Sequence, residues 1–180
     1  MGEWFLHIGT YGGKWKDWLN LDIIPAYADV AADMCHLPFA EGTINAIFTN
    51  HTLEHVSHDG GIEFAKEAHR VLMDGGVMCV GVPDLLEVAW GLWTAPESEQ
   101  ELWMRRVYGG QAYEYDFHRF GYTPQSIRCL FEGEGLTTTG VSTLHSIRPT
   151  PTLSWWGFKG KDPKYEFRFT EDQNWAVMKL

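Results

Sequence analysis

DMCHLPF (33–39), INAIFTNHTLEH (44–55) and EAHRVLMDGGVMCVGVPD (67–84) decide the fold, because together they read as two successive strand–turn–helix modules. Ile44 to Asn50 mixes β-branched and aromatic residues without a polar face, as a strand buried in a parallel sheet does. A helix follows from about Gly60, with Ile62, Ala65, His69 and Leu72 on one face at spacings of three and four. Gly75-Gly76 is expected to stop that helix, and Val77 to Val82 then reads as a central strand ended by Pro83.

Toward the N-terminus, the apolar run Trp4 to Ile8 ends at Gly9, and a second run, Trp18 to Ile24, carries Asp22 and ends at Pro25. Only Gly9 to Asp17 separates them, short of the roughly dozen residues a crossover helix takes, so the first helix is expected to be a turn or absent. Ala28 to Ala32 makes a third short strand. Toward the C-terminus, Leu85 to Trp93 and Glu97 to Val107 read as helices parted by Pro96, and Tyr108 to Tyr122 as a Gly- and aromatic-rich loop. Thr123-Pro124 starts another helix that Gly135 stops. Thr137 to Leu144 and Trp175 to Leu180 are expected to form an antiparallel edge pair, with an extra strand at Tyr165 to Phe169. The fold class is therefore α/β: a doubly wound, mostly parallel sheet with an antiparallel C-terminal edge, in a single domain over residues 1–180.

Fourteen basic against 24 acidic residues leave a net charge of −10, which repels a phosphate backbone, so nucleic acid is excluded as the expected partner. No apolar run reaches the ~20 residues of a membrane helix, and the N-terminal residues lack the basic-then-apolar order of a signal peptide. Cys35, Cys79 and Cys129 form neither a CxxC pair nor a disulfide ladder, which fits a reducing, cytoplasmic setting.

The order of a loop acid, a polar strand end, an Arg-Val-Leu helix and a Gly-Gly turn resembles the S-adenosylmethionine-dependent methyltransferases of the Rossmann-like type 11 kind. Leu37-Pro38-Phe39, Leu53-Glu54-His55, Arg70-Val71-Leu72 and Gly75-Gly76 carry the resemblance. It implies a short form of that fold with a reduced first helix, and methyl transfer from S-adenosylmethionine to an oxygen or nitrogen of a small molecule, with a sugar-linked acceptor favoured. The cofactor residues it implies lie at strand ends, where open parallel sheets bind ligands. Gly9, Thr10 and Gly12 form the loop after the first strand, and Asp22 accepts the ribose hydroxyls. Asp33 meets the adenine amino group, the Met34 backbone meets the ring, and Asn50 and His51 stand near the methyl group and the acceptor. His118, in DFHR (116–119), has the residue type of a general base near neutral pH, so the catalytic candidates are His118, His51 and Asn50. A dinucleotide enzyme would need G-x-G-x-x-G opening a full helix, for which the spacing from Gly9 to Asp22 has no room.

Two other readings compete. His51-Thr52-Leu53-Glu54-His55 matches H-x-x-E-H, a zinc-hydrolase pattern that requires both histidines on one helical face. Because the segment follows a buried strand, no bound zinc is expected. Tyr11 in the glycine loop and the missing first helix motivate the other alternative, a non-catalytic methyltransferase-like binding module. His36, His69 and His145 read as surface or packing residues, and Arg70 as a helix-to-loop anchor.

Overall fold

Short apolar strands alternate with capped helices in the computed structural model, which describes residues 2–144, 150–169 and 175–180. Strands β1 (Phe5–Ile8), β2 (Leu19–Asp22) and β3 (Val30–Ala31) are followed by β4 (Ile44–Asn50), helix α1 (His58–Val71) and β5 (Leu72–Pro83). Helices α2 (Leu85–Thr94), α3 (Glu97–Tyr108) and α4 (Pro124–Gly133) precede β6 (Leu136–Leu144), β7 (Thr152–Lys159), β8 (Tyr165–Phe169) and β9 (Trp175–Lys179). The main sheet has the order β3-β2-β1-β4-β5-β7-β6. The five strands from β3 to β5 are parallel, and β7 runs antiparallel to both β5 and β6. The strand order reverses between β1 and β4, so a crevice opens there beyond the carboxyl ends of the strands.

Three local expectations change. Helix α1 ends at Val71, and Leu72 already pairs with Ile44, so Gly75-Gly76 lies within β5, where the register shifts between Ile44 and Ala46. Gly75 at φ 81 lets the strand bulge without ending it. The buried face of α1 is Phe64, Ala65, Ala68 and Val71, with Ile62 and His69 half-buried at its margin. The pairing of β6 with β9 does not occur. β6 pairs with β7, a strand not expected from the sequence, and β9 pairs with β8 in a separate hairpin. His145 lies outside the described residues, as do parts of the Ser146 to Asn174 segment.

Side chains on successive strand positions feed two cores. Ile47, Met78, Val80 and Trp155 pack under α1 and α4, while Phe48, Val77 and Cys79 pack under the β8–β9 hairpin with Trp15, Trp18 and Trp156. Residues 9–18 hold turns and no helix, as their length demands, and the hairpin with the tryptophans covers the sheet face on that side. Ser57 caps α1 through the Gly60 N–H, and Thr123 and Ser126 form a capping box at α4. Among the described residues no helix is long and apolar enough to cross a membrane.

His7 belongs to the second core: it is 6% exposed, and its ring stacks on Trp15 at 4.6 Å. Burial holds its imidazole below the ordinary range, with Asn20 and Asp22 partly offsetting the effect. A lowered histidine pKa means the unfolded chain binds a proton that the folded chain refuses. Its stabilising contribution is therefore complete above the ordinary imidazole value of about 6.5 and is lost as the pH falls through the lower folded value. Urea denaturation from pH 7 down to about 5.5 should show falling stability, with a shallower slope in His7→Phe. An unchanged slope would remove His7 as a cause; His118 and His69, both held low by burial, contribute to the slope that remains.

Candidate active site

The loop after β1 is shaped by its glycines. Gly9 has φ 74, and a Cβ placed there would stand 1.9 Å from Thr52 Oγ1, so only glycine lets the β1 loop pass the start of the β4 loop. Tyr11 turns at φ 40 and points outward, 69% exposed, stacked on Tyr113 and edge-on to Tyr27. The bulky residue in the middle of the loop thus leaves the backbone cradle open. Asp22, buried at the end of β2, accepts hydrogen bonds from the N–H groups of Tyr11 (3.0 Å) and Ile24 (2.9 Å). Thr10 Oγ1 also lies 3.4 Å from Asp22, but its single hydrogen serves the shorter contact to the Tyr27 carbonyl at 2.6 Å. Of about four acceptor positions on the carboxylate, roughly two stay available to a ligand.

The next acid is presented by a clamped loop. Arg70 donates to the carbonyls of Phe39 (2.7 Å) and Leu37 (2.9 Å) and pairs with Glu67, whose other oxygen accepts the Leu37 N–H. Arg70 is thus the helix-to-loop anchor its position suggested. With Leu37 and Met34 buried beneath it, the loop holds Asp33 at the surface of the crevice, where Oδ1 accepts from the Cys35 N–H.

Asn50 is the last residue of β4, paired with Gly81, and at His51 the chain leaves the strand. The Asn50 side chain lies over Gly81, where any Cβ would fall 2.0 Å from Oδ1. His51 takes φ 54, a strained value for a residue with a side chain, and is fixed from both ring nitrogens: Nδ1 donates to Glu54 Oε1 (3.2 Å) and Nε2 accepts from the Thr152 hydroxyl (3.0 Å). Leu53–His55 is a single 3-10 turn, so HTLEH does not present His51 and His55 on one face of an α-helix. Glu54 is 1% exposed, and its Oε2 has no partner among the described residues.

These groups line one cleft of about 1130 Å³ that runs over Gly9, Thr10, Asp22, Asp33, Met34, Asn50 and His51. Ala112, Tyr113, Tyr115 and Asp116 from the loop after α3 close one side, and Thr152 and Ser154 of β7 form part of the floor. Gly12 stands outside the lining, at φ 79 in the turn that shapes the loop. His118 is the sequence candidate that the fold sets elsewhere. It lines a small space behind the cleft with Glu54 and Arg106, donates its Nδ1–H to the Arg106 carbonyl (3.0 Å), and is held by burial below the ordinary imidazole range, with Glu54 partly offsetting. The histidines that line the cleft are His7, His51 and His55. Thr152, Ser154 and His7 escaped the sequence reading, the first two because β7 was not foreseen; the polar alternation of Thr152 and Ser154 was the available signal.

The residues present fit S-adenosylmethionine. The open glycine cradle, the spare acceptor positions of Asp22, the exposed carboxylate of Asp33 and the buried Met34 beside it offer the acceptors and apolar contacts that an uncharged adenosine needs, with no phosphate site.

The sequence family described as a methyltransferase domain matches residues 16–80. No curated protein sequence matches the chain. Among solved structures, the complex of the Haloferax volcanii Trm112 methyltransferase activator with a methyltransferase is similar at 16% identity and TM-score 0.64, covering 89% of this chain and 84% of that one. A SAM-dependent methyltransferase from Methanosarcina mazei is similar at 13% identity and TM-score 0.63, covering 90% and 95%. The Burkholderia thailandensis 1,6-didemethyltoxoflavin-N1-methyltransferase, with 1,6-didemethyltoxoflavin and S-adenosylhomocysteine bound, is similar at 14% identity and TM-score 0.60, covering 87% and 71%. The matched stretch runs from before β2 into β5, and the chain shares with these solved structures the Rossmann-like methyltransferase fold.

Proposed function

We propose that the chain transfers a methyl group from S-adenosylmethionine to an oxygen or nitrogen of a small, sugar-linked acceptor in the cytoplasm. The observation that carries this reading is the single cleft in which Asp22, Asp33 and Met34 stand at one end and Asn50, His51 and His55 at the other. Asp22 would hold the ribose through its spare acceptor positions, Asp33 the adenine amino group, and the Gly9–Gly13 backbone the methionine end. The bound cofactor supplies a sulfonium methyl that is already electrophilic, so the protein's task is positioning and exclusion of water.

His51 is the side chain suited to receive the acceptor's proton, at Nε2. The Thr152 hydroxyl occupies that nitrogen and is the group an acceptor hydroxyl would displace. Glu54, bonded to Nδ1, fixes the ring and stabilises the imidazolium that forms. Tyr11, Tyr113 and Tyr115, partly exposed at the rim, offer flat apolar faces on which a sugar ring stacks. A net charge of −10 works against a nucleic-acid acceptor, and the Burkholderia neighbour acts on a small molecule. Three free cysteines agree with a reducing compartment.

Incubation with methyl-labelled S-adenosylmethionine and cell extract split by size tests the acceptor class: label is expected in the low-mass fraction. Label confined to RNA, DNA or protein would overturn the class. With an acceptor in hand, His51→Ala should lower kcat by roughly 100-fold or more, as expected for loss of a general base, while S-adenosylhomocysteine affinity changes little. A variant that folds and turns over at the wild-type rate would remove His51 from the chemistry.

A further inference from the structure

We propose that Glu54, His55 and His118 form a binding site for a divalent first-row transition cation in the wall of the cleft. One ligand atom from each residue lies within 4.8 Å of the others. His55 Nδ1 is 3.2 Å from the Phe117 carbonyl and His118 Nδ1 is 3.0 Å from the Arg106 carbonyl. A carbonyl only accepts, so both protons sit on Nδ1 and both Nε2 atoms carry free lone pairs. Metal-binding histidines are oriented in this way, with the far N–H tied to a backbone carbonyl or a carboxylate.

Glu54 supplies the second, independent observation. It is 1% exposed, its Oε1 is engaged by His51, and its Oε2 is buried with no partner among the described residues. Burying a carboxylate oxygen without a donor is costly, and a cation at this point would satisfy it. His118 Nε2 stands 3.9 Å from Glu54 Oε1, too far for a hydrogen bond. Two ligands that each lie about 2.0–2.2 Å from one ion are separated by about 3–4 Å; the 3.9 Å from His118 Nε2 to the Glu54 carboxylate falls in that range, and the three ligand atoms lie within 4.8 Å of one another. Two imidazoles and one carboxylate suit zinc, iron or cobalt better than magnesium or calcium, which prefer all-oxygen shells.

The donor set differs from the zinc-hydrolase pattern in the sequence. His51 Nε2 is taken by Thr152, and His118, 63 residues beyond His55, takes its place. The expectation of a chain without metal rested on HTLEH alone and did not include His118. His55 lines the cleft while Glu54 and His118 line the space behind it, so a cation among them borders the acceptor end. Resting on the methyltransferase reading, an acceptor oxygen is the natural further ligand.

The test uses chelator-treated protein titrated with Co2+, read by its visible absorption, and with Zn2+, read by calorimetry, alongside a separate titration with S-adenosylhomocysteine. One equivalent is expected to bind. His55→Ala and His118→Ala should weaken it by more than the roughly 10–100-fold that outer-shell changes cost, and His58→Ala, an exposed control, should not. Saturating cation should raise the Tm of the wild type and not that of His118→Ala, a comparison that stays informative if a variant is less stable. No saturable binding, or binding unchanged in both variants, overturns the site. Loss of S-adenosylhomocysteine binding with cation binding intact overturns the methyltransferase reading and leaves the site standing.

Discussion

Asp22→Ala is expected to weaken S-adenosylhomocysteine binding by about 1–3 kcal/mol, or roughly 5- to 150-fold. Two losses combine. The carboxylate's spare acceptor positions for the ribose disappear, and the N–H groups of Tyr11 and Ile24 lose the oxygens that pin the β1 loop. Asp22→Asn separates them: one amide oxygen can still hold one backbone N–H, while the NH2 end presents a donor to the other. Its affinity should fall between those of wild type and Asp22→Ala. Calorimetry on both variants decides the matter, with circular dichroism to confirm folding. An Asp22→Ala affinity within twofold of wild type would show that the ribose is held elsewhere and would count against the orientation proposed for the cofactor.

The strand ends that build this half of the cleft were legible because each announces itself locally. Gly9 and Pro25 end the first two apolar runs, Asp22 and Asp33 are acids at strand ends, and Leu37-Pro38-Phe39 plugs the loop that follows Asp33. The short link between β1 and β2 was readable from length alone. What could not be read was long-range pairing. β7 is buried on both faces, with Leu153, Ser154 and Trp155 all inaccessible, so its polar–apolar alternation lasts only from Thr152 to Trp155 and breaks at Trp156. Its neighbours in the sheet, Val77 to Pro83 and Leu136 to Leu144, lie far from it in sequence or across the 145–151 connection. For the same reason Thr152 was invisible as a partner of His51, 101 residues away. His118 was found by residue type, but the turn at Gly109, whose backbone packs against Asp116 and His118, carries it behind Glu54 and leaves the tyrosines facing the cleft.

Trp155→Ala should cost about 3–5 kcal/mol of stability, the range for emptying a large aromatic site in a core that cannot collapse. Trp155 is 0% exposed, pairs across the sheet with Val80 and Val141, and lies 4.3 Å from the ring of Phe131 on α4. Gly157 makes room for its ring, since a Cβ there would stand 2.6 Å from Trp155. The indole N–H donates to Thr138 Oγ1 at 2.9 Å, a half-buried partner that water can replace, so most of the cost is lost packing. Trp155→Phe, which keeps a ring against Phe131, should recover more than half of the loss. Trp156, only partly buried on the opposite face beneath the hairpin, should cost less when cut to alanine. Because Trp155 follows directly on Thr152 and Ser154, the two β7 residues in the cleft lining, the destabilised variant should also bind S-adenosylhomocysteine more weakly near its unfolding midpoint. Urea unfolding at fixed pH gives the ranking. A Trp155→Ala cost below that of Trp156→Ala would mean that the hairpin, and not α4, supplies the principal packing on β7.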